Sequence, residues 1–132
     1  MTLGADDILA IQQVLAGYCH AIDSGDGDAV AALFTDDASL GVGLPDPFVG
    51  KDAIREMGGG VSSMVPGVRH VSSNVIIDGD GDTASARSYV RVFTTAGGPE
   101  QTQLVASGIY VDALRKDDGT WRIASRVMTN DG

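Results

Sequence analysis

Residues 68–95 read VRHVSSNVIIDGDGDTASARSYVRVFTT, and this stretch decides the fold. Apolar and polar residues alternate on both sides of the glycine- and aspartate-rich segment 78–82, as they do in two strands joined by a turn. The two-residue period then continues to the end of the chain. It predicts an antiparallel meander with strands at about residues 68–78, 83–95, 102–115 and 120–130.

The residues before this region begin with a helical period instead. Apolar side chains recur at steps of three and four over residues 8–22, and this stripe turns Tyr18 toward the core. Asp6 or Asp7 is predicted to cap the helix, because an aspartate side chain can accept a hydrogen bond from a free backbone N–H. Asp23 then stands at the carboxyl end of the same helix.

Two more helices and a short strand are predicted before the meander. Segment 23–28 breaks the first helix and supplies caps for a short second helix over residues 29–34, and a strand follows over residues 38–42. A third helix begins at about Lys51. It is expected to fade at the glycines 58–60, which would form a mobile rim of a pocket.

The order of these elements predicts the fold class. Helices followed by a run of antiparallel strands cannot form β-α-β crossovers, so the helices must pack on one face of the sheet. We therefore predict one α+β domain over residues 1–132, with N-terminal helices on a strongly curved, mainly antiparallel sheet that encloses a pocket.

Charge and composition exclude several classes of partner. Eighteen acidic and nine basic side chains give a net charge of −9, which repels nucleic acid and anionic membrane surfaces. No basic leader precedes an apolar segment and no apolar run is long enough to span a bilayer, so a cytoplasmic location is expected. The lone Cys19 leaves no internal disulfide, and no metal-binding motif or phosphate-binding loop occurs in the sequence.

The best candidate for a general base is His70. In a regular strand His70, Ser72, Asn74 and Ile76 share one face, and an unperturbed histidine titrates near about pH 6.5. If this face points into the cavity, His70 can exchange protons with a ligand there. The alternative is a histidine that is bonded to a backbone carbonyl or exposed at a strand end.

Other candidate site residues have plain structural explanations as well. Tyr18 could donate a hydrogen bond to a developing oxyanion, although aromatic residues at helical spacing usually belong to the core. Asp23 could orient His70 or simply cap the helix. Asn74, Tyr89 and Arg126 are the predicted substrate-binding residues, with Arg126 a candidate partner for a ligand carboxylate or carbonyl. His20 is expected to face solvent or a subunit interface.

Four segments carry a resemblance to a known family: GYCHAIDSGD at 17–26, ALFTDDA at 32–38, RHVSSN at 69–74 and GTWRI at 119–123. The chain resembles the NTF2-like superfamily and, within it, the SnoaL-like branch, which includes scytalone dehydratase and bile acid 7α-dehydratase relatives. The resemblance implies a conical pocket in which Tyr18, Asp23 and His70 meet as catalytic residues. It implies no metal and no organic cofactor.

The resemblance also suggests a function. His70, oriented by Asp23, would remove the proton alpha to a ketone, while Tyr18 would polarise the carbonyl or assist departure of a β-hydroxyl. The expected protein is a dehydratase or related lyase for a hydrophobic cyclic hydroxyketone of polyketide or steroid type. An aldol cyclase or isomerase, and a non-catalytic module that binds small molecules, stay open. A homodimer or higher homo-oligomer is expected, because one face of the sheet lacks helices.

Overall fold

The computed structural model describes residues 2–132. Its three helices are α1 (Ala5–Asp23), α2 (Gly27–Ala32) and α3 (Lys51–Met64). Its six strands are β1 (Phe34–Gly41), β2 (Phe48–Val49), β3 (Val68–Asp80), β4 (Thr83–Thr94), β5 (Gln103–Asp117) and β6 (Thr120–Asn130), with a short 3₁₀ helix at Pro99–Gln101. The predicted meander is confirmed, with each strand within a few residues of its expected bounds.

The strands form one curled, unclosed sheet in the order β2-β1-β6-β5-β4-β3. All neighbours pair antiparallel except β1 and β6, which run parallel. The helices cover one face, as predicted, and β3 lies at an edge of the sheet, where Thr2 forms a single bridge to Asp80. We call the helix-covered face the inner face and the opposite one the outer face. No helix in the described part of the chain is long and apolar enough to cross a membrane.

The first helix begins two or three residues earlier than predicted. Gly4 is its N-cap and no side chain bonds there, so the expected cap by Asp6 or Asp7 is wrong. Asp7 instead accepts hydrogen bonds from Trp121 Nε1 at 2.9 Å and Lys116 Nζ at 3.1 Å. These bonds tie the start of α1 to the β5–β6 hairpin. The Asp7 carboxylate therefore connects α1 to the hairpin instead of capping the helix.

The second helix is capped as expected but begins and ends two residues earlier than predicted. The side chain of Asp26 accepts a hydrogen bond from the backbone of Ala29 at 3.0 Å. Phe34, predicted to end this helix, begins β1 instead. The carbonyl of Leu33 accepts the N–H of Ile123 at 2.8 Å, so pairing with β6 takes over from the helix at this point.

The third helix does not fade at its glycines, and the predicted mobile rim is wrong. α3 continues through Gly58, Gly59 and Gly60 to Met64. A Cβ on Gly58 would stand 2.8 Å from Val30 Cβ, so this glycine lets α2 and α3 pack closely. Tertiary contact with α2 offsets the low helix propensity of glycine, which sequence alone does not reveal.

A β-bulge between Ser73 and Ile76 changes which residues of β3 face inward. His70 and Ser72 lie on the inner face, but Asn74 has a φ of 55° and is exposed, and Ile76 is 52% exposed. The predicted common face of these four residues is therefore correct only for the first two. The extra residue in the bulge shifts the alternation by one position.

Candidate functional site

The carboxylate of Asp23 holds His70 at two points. Its Oδ1 lies 2.6 Å from His70 Nδ1, and its Oδ2 accepts the backbone N–H of His70 at 2.9 Å. Asp23 is the last residue of α1, and His70 is the third residue of the edge strand β3. Their side chains are only 11% and 9% exposed. The end of the first helix thus docks on the edge of the sheet through this pair.

This contact fixes which nitrogen of His70 carries a proton. An ionised carboxylate can only accept, so Nδ1 must donate to Asp23. In the neutral ring Nε2 then has a free lone pair, and no hydrogen bond from residues 2–132 reaches it. When Nε2 takes up a proton, the nearby carboxylate stabilises the resulting imidazolium. The pair has the arrangement of a general base with its orienting acid.

Tyr18 lies directly behind this pair in the core. It is 1% exposed, and its ring meets the His70 ring edge to face, with the ring centroids 6.3 Å apart. Burial raises the pKa of Tyr18 to about 12, although the charge of Arg126 acts against that rise. The hydroxyl therefore stays protonated at neutral pH and can serve as a donor. In the described part of the chain no hydrogen bond joins it to His70 or Asp23.

A buried ion pair lies on the other side of Tyr18. Arg126 on β6 donates to both carboxylate oxygens of Asp112 on β5, at 2.7 and 2.9 Å, and neither side chain is exposed. The guanidinium carbon lies 4.4 Å from the ring centroid of Tyr18 and 3.8 Å from that of Tyr110. Burial alone lowers the pKa of Arg126, but the bonds and charge of Asp112 outweigh it and raise the pKa overall. Arg126 remains a cation.

Some buried polar atoms around this cluster have no protein partner. They are Ser72 Oγ, Ser88 Oγ and Arg126 Nη1, and all three project from inner-face positions. Buried polar groups in native proteins are nearly always bonded, to protein or to ordered water. The interior beside Tyr18 therefore offers hydrogen-bonding capacity to a small polar group.

Two clefts reach His70 from outside, between α1 and the β3 edge. They share the lining residues Cys19, His20, His70 and Val71, so they are two arms of one groove. The apolar arm, of about 400 Å³, is completed by Gln12, Leu15, Ala16, Ser72 and Val75. The polar arm, of about 730 Å³, is completed by Asp23, Ser24 and Arg69. His70 stands where the arms meet.

Four of the predicted site residues do not line this groove: Tyr18 and Arg126 are buried in the core, and Asn74 and Tyr89 lie elsewhere on the sheet. Asn74 and Tyr89 line a third cleft, which also contains Arg87 and shares only Val75 with the apolar arm. The bulge turned Asn74 outward, and Tyr89 follows the regular alternation of β4 and is 50% exposed. The expectation that they line the same pocket as His70 is therefore wrong. His20 is exposed at the mouth of the groove, consistent with its predicted solvent-facing position.

Sequence reasoning missed Tyr110 and Asp112. The alternation in β5 did contain the signal, because positions 108, 110, 112 and 114 share the buried face and one of them is an aspartate. A carboxylate at an inward strand position requires a buried cation as partner, and Arg126 was the available candidate. Cys19 also borders the groove, but burial raises the pKa of its thiol and keeps it protonated.

Comparisons with known proteins agree with this architecture. Residues 4–127 match the family model described as SnoaL-like domain. The uncharacterized Mycobacterium tuberculosis protein Rv2910c is 33% identical over 126 residues, which span 93% of this chain and 84% of that protein. The structure of Rv3472(D26N), a function-unknown protein from the same organism, shares 34% identity and a TM-score of 0.86, over 95% of this chain and 72% of that one.

A third neighbour shows the fold alone. It is a Novosphingobium aromaticivorans structure provisionally named a scytalone dehydratase, with 24% identity and a TM-score of 0.83 over 96% of this chain and 85% of that one. The family match spans nearly the whole chain, and the curled sheet under three helices is the fold these structures share. The chain belongs to the SnoaL-like domain family, within the NTF2-like superfamily.

Proposed function

We propose that this protein is a cofactor-independent acid–base enzyme, a dehydratase or related lyase for a hydrophobic cyclic hydroxyketone. One observation carries the proposal: the 2.6 Å contact between Asp23 Oδ1 and His70 Nδ1 at the junction of two clefts. It gives a histidine with an oriented, unoccupied Nε2 beside a space that a small molecule can enter. The neighbour named for scytalone dehydratase supports only the fold, so the proposal depends on this geometry.

The proposed reaction uses His70 as the base. Nε2 removes the proton alpha to the ketone, and the electrons of that C–H bond form an enolate. The enolate then re-forms the carbonyl and expels the β-hydroxyl, which leaves as water after taking the proton from His70. Asp23 stabilises the imidazolium between these steps. The products are a conjugated enone and water, and no redox change occurs.

Tyr18 is assigned to the substrate's oxygen. Its hydroxyl is protonated at neutral pH because burial raises its pKa to about 12, so it can donate a hydrogen bond to the enolate oxygen. The ring faces the interior next to Tyr110. A substrate that reaches it must pass His70 and enter between α1 and the sheet, where the unpartnered oxygen of Ser72 also lies.

The apolar arm supports a hydrophobic substrate. Leu15, Ala16 and Val75 line it from α1 and β3, and its volume of about 400 Å³ is in the range of small-molecule sites. An apolar ring placed there brings its carbon atoms close to His70. The same arm would accept any molecule of similar shape that has an acidic C–H bond.

The decisive experiment follows enone formation from a panel of cyclic β-hydroxyketones by ultraviolet absorbance. His70→Gln should lower kcat by about 10² to 10⁴, because one positioned base contributes that much to a rate. The backbone N–H of residue 70 still bonds to Asp23 in this variant, so the fold should persist. Arg87→Gln is the control, since Arg87 is exposed and lies outside the groove.

Three results would count against the proposal. Undiminished turnover in His70→Gln would show that His70 is not the base. Formation of a rearranged or cyclised product without loss of water would favour the isomerase or aldol cyclase assignment. Tight ligand binding with no chemical change across the panel would favour a module that only binds small molecules.

A further inference from the structure

The groove at His70 has two arms of different chemistry, and the difference indicates what kind of molecule it holds. Beyond the residues that both arms share, the apolar arm adds the aliphatic side chains of Leu15, Ala16 and Val75, whereas the polar arm adds Asp23, Ser24 and Arg69. A ligand that fills both arms must be apolar at one end and polar at the other. His70 would lie against the middle of such a molecule.

The charges in the polar arm favour an anionic end group. The carboxylate of Asp23 is already occupied by the ring and backbone of His70. Ser24 is also engaged, since its hydroxyl donates to the carbonyl of Ala21 at 3.0 Å. The remaining charged group is Arg69, whose Nη1 donates to the carbonyl of Val68 at 2.8 Å.

Arg69 has no carboxylate partner among the residues that the structure describes. Its other guanidinium N–H groups carry no protein hydrogen bond there, although the chain has eighteen acidic side chains. A fork of free N–H donors matches the two oxygens of a carboxylate. A chain with a net charge of −9 repels anions in general, so binding of an anion requires such a local cation.

We infer that the groove binds an amphipathic carboxylate, with its apolar ring in the apolar arm and its carboxylate on Arg69. This inference rests on the proposed function and extends it. The substrate would be a hydroxyketone that also carries an acid group. Arg69 is then a substrate-binding residue that sets specificity. Arg69 is next to His70 in sequence, but its side chain lies on the opposite side of the strand. It therefore binds the end of the ligand and does not contact the reacting carbon atoms.

The test measures binding without turnover, so it is independent of the reaction. Isothermal titration calorimetry compares 2-naphthylacetate with 2-naphthylacetamide, a neutral molecule of nearly the same shape. We expect the wild-type protein to bind the acid about tenfold more tightly, as a charge-assisted hydrogen bond allows. Arg69→Gln should abolish this preference and leave the affinity for the amide unchanged.

Two control variants locate the charge. Arg87→Gln removes an exposed arginine of the neighbouring strand that lies outside the groove, and it should keep the tenfold preference. His70→Gln should also keep it, because the carboxylate is assigned to Arg69. Equal affinity for the two probes, failure of both to bind, or a preference lost in His70→Gln but kept in Arg69→Gln would overturn the inference. The binding test and the turnover test can fail independently. The protein could prefer the acid without forming an enone, or form an enone without preferring the acid.

Discussion

At the scale of residues, most of what the sequence predicted about the site concerns the positions of single side chains. The stripe of apolar residues placed Tyr18 inward, and the end of that stripe placed Asp23 at the helix terminus; both are confirmed. Helical spacing could not bring Asp23 to His70, because the two are 47 positions apart and meet only when α1 docks on β3. That contact was implied by family resemblance, and the structure confirms it. The catalytic roles remain predictions.

Replacement of Asp23 by Asn should weaken the fold as well as the base. An amide offers one acceptor oxygen instead of two and carries no negative charge, so it binds the ring and the backbone N–H of His70 more weakly than the carboxylate does. We expect the free energy of unfolding in urea to fall by about 1–3 kcal/mol. Asp28→Asn is the control, because Asp28 is exposed and should change stability by less than about 0.5 kcal/mol. Equal effects of the two variants would contradict this expectation.

The buried pair of Asp112 and Arg126 should be far more sensitive than any surface pair. Asp112→Ala leaves a fully buried guanidinium without its counter-charge, so we expect a loss of about 3–5 kcal/mol in the free energy of unfolding. Arg115→Ala removes an exposed cation that pairs with Asp117, and it should cost about 0–1 kcal/mol. Urea denaturation of both variants gives the comparison. A small loss for Asp112→Ala would mean that water reaches this pair.

The raised pKa of Tyr18 predicts how stability depends on alkaline pH. The pKa of Tyr18 is 10.0 when the chain is unfolded and about 12 when Tyr18 is buried in the folded protein. Its contribution is therefore fully present below pH 10 and is lost as the pH rises toward 12. For this group the free energy of unfolding should fall by roughly 1.4 kcal/mol per pH unit across that window.

Tyr18→Phe isolates this contribution. Subtracting its unfolding free energies from those of the wild type, measured in urea at several values between pH 9 and 11.5, removes the other groups that titrate in that range. The difference should stay constant up to about pH 10 and shrink above it. Ser88→Ala is the control, since it removes a buried hydroxyl from a residue type that does not titrate in this range, and it should show no such change. A flat difference for Tyr18→Phe would contradict the prediction.

At the scale of elements, periodicity predicted the helices and strands but not the contacts that modify them. The four long strands were confirmed because alternation and turn residues both indicated them. The bulge at Ser73 and the passage of α3 through glycines were missed, since each depends on a neighbour distant in sequence. The strand β2 was missed as well. It has two residues, too few to show a period.

The glycines of α3 offer a matched pair of substitutions. Gly58→Ala would place a Cβ 2.8 Å from Val30, so we expect overpacking to destabilise the protein by about 1–3 kcal/mol. Gly60→Ala meets no atom within 4 Å and gains helix propensity, so it should stabilise by about 0.5–1 kcal/mol. Thermal unfolding followed by circular dichroism distinguishes the two. Shifts of the same sign would show that Gly58 does not set the α2–α3 distance.

At the scale of the molecule, the outer face of the sheet is apolar and uncovered. Large apolar side chains on this face are about 40–50% exposed, namely Val71, Ile76, Tyr89, Ile109, Val111 and Val127. Monomeric soluble proteins rarely expose such a patch over more than a few hundred Å². We therefore keep the homodimer as a proposal and assign the outer face to its interface. The strand alternation contained this information, because both faces of β5 carry apolar residues.

Sedimentation equilibrium tests this assignment. Val111→Glu puts a charge in the middle of the outer face and should shift the protein from dimer to monomer, because an unpaired charge is costly in a buried interface. Leu9→Glu changes an apolar residue on the helical side that is somewhat more exposed than Val111, and it should leave the assembly intact. A monomeric wild-type protein, or a dimer that survives Val111→Glu, would contradict the proposal.

The bond from the His70 backbone to Asp23 has a consequence beyond chemistry. β3 is an edge strand, and the N–H of His70 points to where another strand would add. Free edges invite other chains to pair and polymerise. The helix terminus occupies this donor with a charged group, and the bulge a few residues later distorts the rest of the edge. The residue pair proposed to move protons thus also shields the sheet from aggregation, so selection for solubility and selection for activity would act on the same aspartate.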